Sequence, residues 1–204
     1  MSPWLALLAA YAVGSFPSAY LAGRALRGVD LRTIGSGNLG ATNVYRELGA
    51  IPAVVVLFVD AFKGFAPVFW LPSSFAVAAQ GWWAVAIGVA AIAGHVRPFV
   101  LMGRGGGKGV ATAAGVFAAL SPVALGGAVA AFALVVGVTR IVSLGSITAA
   151  LLLPVLIALR EGVDGPLFAV SGLLAVFIVF SHRTNIARLR RGEEPPVGRT
   201  RRSV

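Results

Sequence analysis

Cysteine is absent from the 204 residues, and methionine and histidine occur only twice each. Without cysteine there can be no disulfide, no thiolate metal site and no acyl-thioester intermediate. Charge is also scarce: Asp, Glu, Lys and Arg make up 12% of the chain, against roughly 25% in a soluble domain. Acidic residues are the rarest, 7 against 17 Lys plus Arg, which leaves a net charge of +10. Apolar residues fill the rest, at 58% of the chain with a mean hydropathy of +0.89. One soluble core cannot hide that much apolar sequence, so the chain reads as an integral membrane protein. The positive charge would otherwise suggest nucleic acid. Here the basic residues sit in short gaps and a tail, as in cytoplasmic membrane loops, so a lipid bilayer is expected and no nucleic-acid partner is.

The apolar runs give the expected spans. Trp4 to Ala22 is nearly uncharged and long enough to cross. No Lys or Arg precedes Arg24, so the basic start of a cleaved signal peptide is missing. Ser15, Pro17 and Ser18 predict a bend near the charged end of this span. Further spans are expected over about Ile51–Leu71, Val77–Val96, Val110–Leu120, Pro122–Val138, Ile141–Leu159 and Pro166–Ser181, with Pro72-Ser73-Ser74 linking the second to the third. The apolar stretch from Val110 to Val138 could be one tilted span or two short ones. Charge decides: Arg24–Arg46, Arg97–Lys108 and the tail from Arg183 are basic, whereas Leu71–Gln80 is uncharged and Arg160–Asp164 is net acidic. All three basic segments lie on the cytoplasmic side only if the chain reverses at Ser121-Pro122. The predicted fold class is all-α integral membrane, with seven transmembrane helices, the N-terminus outside and the C-terminus cytoplasmic. Residues 1–194 form one polytopic domain, and 195–204 a disordered basic tail able to touch anionic lipid.

Three polar stretches interrupt this apolar body. In the first, Gly35, Gly37 and Gly40 permit close backbone approach, while Ser36, Asn38, Thr42 and Asn43 offer neutral hydrogen-bonding groups and Arg46 a planar cation. That set suits a small, multiply charged oxyanion; an ordinary turn-rich connector is the plainer alternative. In the second, Gly103 to Gly109 surround Lys108 just before an apolar helix, a nest of backbone N–H groups suited to an anion. It is not a Walker A loop, because Gly109 follows Lys108 where Ser or Thr belongs. Gly35-x-Gly37-x-x-Gly40 matches the dinucleotide pattern only as a string, since no βαβ unit can flank it. In the third, His182, Asn185 and Arg188 recur at helical spacing, so a polar face continues out of the membrane. Within the second span, Asp60 and Lys63 are three residues apart and can neutralise each other on one helix face.

These residues also carry a resemblance. Ser36-Gly37-Asn38-x-Gly40-Ala41-Thr42-Asn43-x-x-Arg46, Gly94-His95-x-x-Pro98 with Gly106-Gly107-Lys108-Gly109-Val110-Ala111-Thr112, and His182-Arg183-x-Asn185-Ile186-x-Arg188-Leu189 resemble the bacterial acyl-phosphate:glycerol-3-phosphate acyltransferases, the PlsY family. Asp60-x-x-Lys63-Gly64 and Ser143-Leu144-Gly145-Ser146-Ile147 fit the same pattern. One departure is the second motif, usually Phe-Lys-Gly-Gly-Lys-Gly; here Gly103-Arg104-Gly105-Gly106-Gly107-Lys108-Gly109 is one residue longer.

The resemblance implies transfer of a fatty acyl group from acyl phosphate to the sn-1 hydroxyl of glycerol 3-phosphate, giving lysophosphatidic acid and phosphate. It implies no cofactor and no metal. The setting would be the bacterial inner membrane with the active site facing the cytoplasm, and a soluble enzyme that makes the acyl phosphate would be the upstream partner. Ser36, Lys108 and His182 are the expected catalytic residues. Ser36, Arg46, Lys108, His182 and Asn185 would bind the glycerol phosphate. Gly40, Thr42, Asn43, Gly106, Gly107 and Thr112 would cradle the acyl phosphate, supported by Asn38, Asp60, Lys63, His95 and Arg188. The proton acceptor is open between His182, His95 and the donor's own phosphate. A covalent acyl-Ser36 would lack an activating group in its own loop. A transporter for a phosphorylated solute is the rival reading, and it predicts repeat symmetry and mid-membrane polarity that the sequence does not display.

Overall fold

The computed structural model describes residues 3–75 and 81–198, all of it helix and connecting loop. Two compact units divide between Leu120 and Ser121.

In the first unit, α1 (Pro3–Gly14) stops at Ser15-Phe16-Pro17 and α2 (Ser18–Arg27) resumes beyond the break, where the sequence predicts a bend. Pro17 cannot supply the N–H that a continuous helix needs. Gly28 ends α2 at φ 67, with its own N–H and that of Val29 closing onto the carbonyls of Arg24 and Gly23. α3 (Ala41–Leu48) is a short amphipathic helix whose Val44 packs with Leu31, Leu39, Ala53 and Val56. α4 (Ala50–Ser74), α5 (Trp82–Val96) and α6 (Val110–Leu120) complete the unit.

Small residues set the spacing of these helices. A Cβ on Gly14 of α1 would strike the Ala91 carbonyl of α5, and one on Gly94 of α5 the Tyr11 carbonyl of α1. Gly64 of α4 meets the Thr112 carbonyl of α6 in the same way, and Gly115 of α6 meets the Ala61 carbonyl of α4. In lipid there is little hydrophobic drive between helices, so close backbone approach at such positions supplies the packing.

The second unit contains α7 (Pro122–Thr139), α8 (Val142–Glu161), α9 (Pro166–Ser181) and α10 (Arg183–Arg190). Pro122 and Pro166 open α7 and α9 at a position where a missing N–H costs nothing. α8 packs against both α7 and α9. Val138 and Leu159 remain 78% and 81% exposed, a surface that suits lipid.

Five helices among the described residues have the length and hydropathy of a membrane crossing: Pro3–Arg27 taken through its break, Ala50–Ser74, Trp82–Leu101, Pro122–Thr139 and Val142–Glu161. α9 with α10 makes a sixth if that bent pair counts as one. α6 has 11 residues, roughly 16 Å at the usual rise, against a hydrocarbon core of about 30 Å.

One sequence expectation is corrected: Pro72-Ser73-Ser74 is the last turn of α4 and not a link, with the Ser73 and Ser74 hydroxyls donating to the Trp70 carbonyl in the preceding turn. Asn185 and Arg188 lie on α10, which starts after His182 at a 57° bend from α9. Beyond α10, Glu194 is buried, and the Val197 N–H donates to the Arg140 carbonyl at 2.7 Å. Residues 76–80, expected to begin the third span, and 199–204 of the tail lie outside the described residues.

Candidate active site

In the first unit the polar loop before α3 is held by one side chain. Gly35 and Gly37 take φ of 62 and 70 and turn the chain back on itself. Asn43 is buried; its Oδ1 accepts from the Ser36 N–H at 2.8 Å, and its Nδ2 donates to the carbonyls of Leu31 and Ile34 at 3.2 and 3.3 Å. Its amide thus braces the loop that was expected to meet acyl phosphate. Ser36 is left on the exposed side, Asn38 and Gly40 lie at the end of the loop, Thr42 is in the first turn of α3 and Arg46 in its last.

Outside this loop Asp30 takes Arg32 bidentately, with Arg32 Nη2 to Oδ2 at 2.7 Å. That guanidinium lowers the Asp30 carboxyl from 3.8 to about 2. Arg32 in turn lies over the Tyr20 ring at 5.1 Å, and its methylenes back onto Gly105 of the second loop.

The second loop runs directly into α6. Gly103, Gly105 and Gly109 have φ of 70, 76 and 83. Gly106 and Gly107 are required for a different reason: a Cβ on Gly106 would strike the Val96 and His95 carbonyls, and one on Gly107 the His95 ring and the Leu39 carbonyl. The Gly107 N–H donates to the His95 carbonyl at 3.3 Å. Lys108 sits between this packed pair and the first N–H groups of α6, which have no partner within the helix. Thr112, expected beside the acyl phosphate, is fully buried where α6 crosses Gly64.

A buried polar cluster lies under the loop. Asp60 Oδ1 accepts from the Ser18 hydroxyl at 2.6 Å and pairs with Lys63 Nζ at 2.7 Å, while Lys63 also donates to the Phe16 carbonyl at 2.9 Å. The neutralising pair read from the sequence is present. His95 Nδ1 stands 3.7 Å from the same Oδ1. Phe16, Ser18, Leu39, Lys63, His95 and the two glycines line a small cleft that opens to solvent, with about 210 Å³ of empty space when the open side is counted.

In the second unit His182 sits at the α9–α10 bend. Its Nδ1 contacts the Ile178 carbonyl at 2.8 Å. A carbonyl only accepts, so Nδ1 carries a proton in this contact. Asn185 and Arg188 both turn onto Glu194, at 2.5 and 2.6 Å, and Ser143 of α8 joins them at 2.8 Å. Burial raises the Glu194 carboxyl, but the bonds from Arg188, Asn185 and Ser143 outweigh it and hold the group below its ordinary value. Sequence reasoning counted Glu194 only as a charge in a basic tail and missed this clamp. A carboxylate three residues past a run of arginines was the available signal.

A family model described as glycerol-3-phosphate acyltransferase matches residues 4–192. The glycerol-3-phosphate acyltransferase of Prochlorococcus marinus is 41% identical over 201 residues, covering 95% of this chain and 94% of that one. That of Geobacter sulfurreducens is 46% identical over 186 residues, covering 91% and 92%. A crystal structure of PlsY, an integral membrane glycerol 3-phosphate acyltransferase, in its glycerol 3-phosphate form matches with a TM-score of 0.86 at 36% identity, over 97% of this chain and 96% of that one. The lysophosphatidic acid form matches at 0.82 over the same shares. The chain belongs to the PlsY family of integral membrane glycerol-3-phosphate acyltransferases.

Proposed function

We propose that the protein moves a fatty acyl group from acyl phosphate to the sn-1 hydroxyl of glycerol 3-phosphate, yielding lysophosphatidic acid and inorganic phosphate. The observation that carries this reading is the loop before α6, where five glycines and Lys108 bring backbone N–H groups and one cation to a helix N-terminus.

An acyl phosphate is a mixed anhydride with a good leaving group, so the protein's work is to position two anions and cover charge developing on the carbonyl oxygen. The hydroxyl oxygen attacks the carbonyl carbon, the bond from that carbon to the phosphate oxygen breaks, and the hydroxyl proton ends on the departing phosphate. Arg46, Lys108, His182 and Asn185 bind the glycerol phosphate, with Ser36 near its hydroxyls. Gly40, Thr42, Gly106 and Gly107 receive the acyl phosphate. Asn43 and Thr112 belong to the same acyl-phosphate set, and Asn38, Asp60, Lys63, His95 and Arg188 hold the surroundings. The donor phosphate takes the proton, and His182 binds through Nε2. Seven spans, an outside N-terminus and a site on the cytoplasmic face of a bacterial inner membrane complete the reading, with a soluble acyl-phosphate-forming enzyme upstream.

Purified protein given palmitoyl phosphate and glycerol 3-phosphate is expected to release phosphate and form the 1-acyl ester; palmitoyl-CoA should not replace the donor. Lys108→Ala should abolish turnover. Movement of glycerol 3-phosphate across liposomes without ester formation would overturn the reading in favour of a transporter.

A further inference from the structure

Asp60 and His95 stand next to the phosphate loop without being part of it. Both are buried, with relative exposures of 1% and 6%. The Asp60 carboxylate is fixed by the Ser18 hydroxyl and the Lys63 ammonium, both on Oδ1, and Lys63 is itself tied to the Phe16 carbonyl. His95 ends α5, and its ring lies between two fixed surfaces. On one edge Nδ1 is directed at Asp60 Oδ1 from 3.7 Å and has no hydrogen-bond partner. On the other, Nε2 and Cε1 are the ring atoms nearest the Gly107 backbone. Leaving a buried polar nitrogen without a partner is unfavourable, so a small approach to the carboxylate is favoured. Hydrogen bonds around a reaction centre are commonly long before substrate binds.

We propose that Asp60 and His95 are positioning residues: Asp60 holds the His95 ring by its Nδ1 edge, and the ring's other edge seats Gly107, fixing the direction of the neighbouring loop N–H groups that hold a substrate phosphate. Lys63 holds the carboxylate in place. The backbone carbonyls of Val96 and His95 support Gly106 from the same element, so the ring is the adjustable part of the seat. This rests on the reading that the 103–109 loop binds a phosphate-bearing substrate. The phosphate could belong to the acyl donor or to glycerol 3-phosphate; both offer the same dianion.

His95→Asn and His95→Gln separate the two edges. The Asn amide reaches the place of Nδ1 and keeps a polar group facing Asp60 but leaves Gly107 without its seat. The Gln amide reaches the place of Nε2 and restores the seat. In the purified enzyme, His95→Asn is expected to raise one KM and lower kcat/KM by roughly 10- to 100-fold, the effect of an ångström-scale misplacement. His95→Gln is expected to recover most of this loss. The KM that rises, for palmitoyl phosphate or for glycerol 3-phosphate, identifies which phosphate the loop holds. Asp60→Asn leaves Lys63 buried and unpaired and can unfold the protein, so the paired Asp60→Asn/Lys63→Met variant is measured beside it and is expected to raise the same KM. If the His95 variants lose only melting temperature and kcat, with both KM values unchanged and no rescue by Gln, the positioning role is wrong. A wild-type enzyme inactive with both substrates would instead overturn the functional reading on which the inference stands.

Discussion

Glu194 is the residue on which most local order in the tail depends. Three donors converge on one carboxylate that the fold has removed from water. Its folded pKa lies below the 4.5 of the ordinary group. The stability it contributes is therefore complete above that value and is lost as pH falls through the folded pKa. Melting temperature measured from pH 6 downward should drop more steeply in the wild type than in Glu194→Gln. Glu194→Ala should cost about 2–3 kcal/mol at neutral pH, the scale of hydrogen bonds to a charged group. Asp30 offers a second residue-scale check. Carboxyl titration followed by NMR should find it at about 2, and Arg32→Ala should return it toward 3.8, because the guanidinium is the main cause of the shift.

At the scale of elements, α4 and α6 approach by backbone and not by side chain. Gly115→Val would push a branched side chain against the Ala61 carbonyl and the Phe65 N–H, and overpacking of this kind costs about 1–3 kcal/mol. Gly126→Ala in α7 meets nothing within 4 Å and serves as the control that should hold its melting temperature in detergent. How much could be read in advance differs between elements. The α1–α2 break was legible because Pro17 imposes it locally, and Asp60 with Lys63 because two charges inside an apolar run must find each other. The extension of α4 through Ser74 was not legible, since Pro and Ser signal a loop unless the hydroxyls cap the helix end. The bend at His182 was also hidden, because helical spacing of polar residues survives a kink. The seat that His95 gives Gly107 joins α5 to a loop twelve residues on, and no local pattern encodes it.

For the molecule as a whole, sidedness is the expectation most open to direct measurement. The chain has no cysteine, so each introduced thiol is the sole label site. Arg27, Arg104, Arg190 and Asp164 are all exposed and lie in the basic and acidic gaps that set the expected topology. In sealed vesicles of known orientation, Arg27→Cys, Arg104→Cys and Arg190→Cys should react with an impermeant maleimide from the cytoplasmic face, and Asp164→Cys from the other. Labelling of Arg27→Cys and Arg104→Cys from opposite faces would contradict the proposed site.

The two glycines against His95 carry a consequence for inhibition. Any side chain at Gly106 or Gly107, even a methyl group, meets main-chain carbonyls or the imidazole. A compound that imitates phosphate in this loop would therefore touch a surface the protein has little freedom to mutate. Resistance would have to arise at the rim, where exposed Arg104 has room to change.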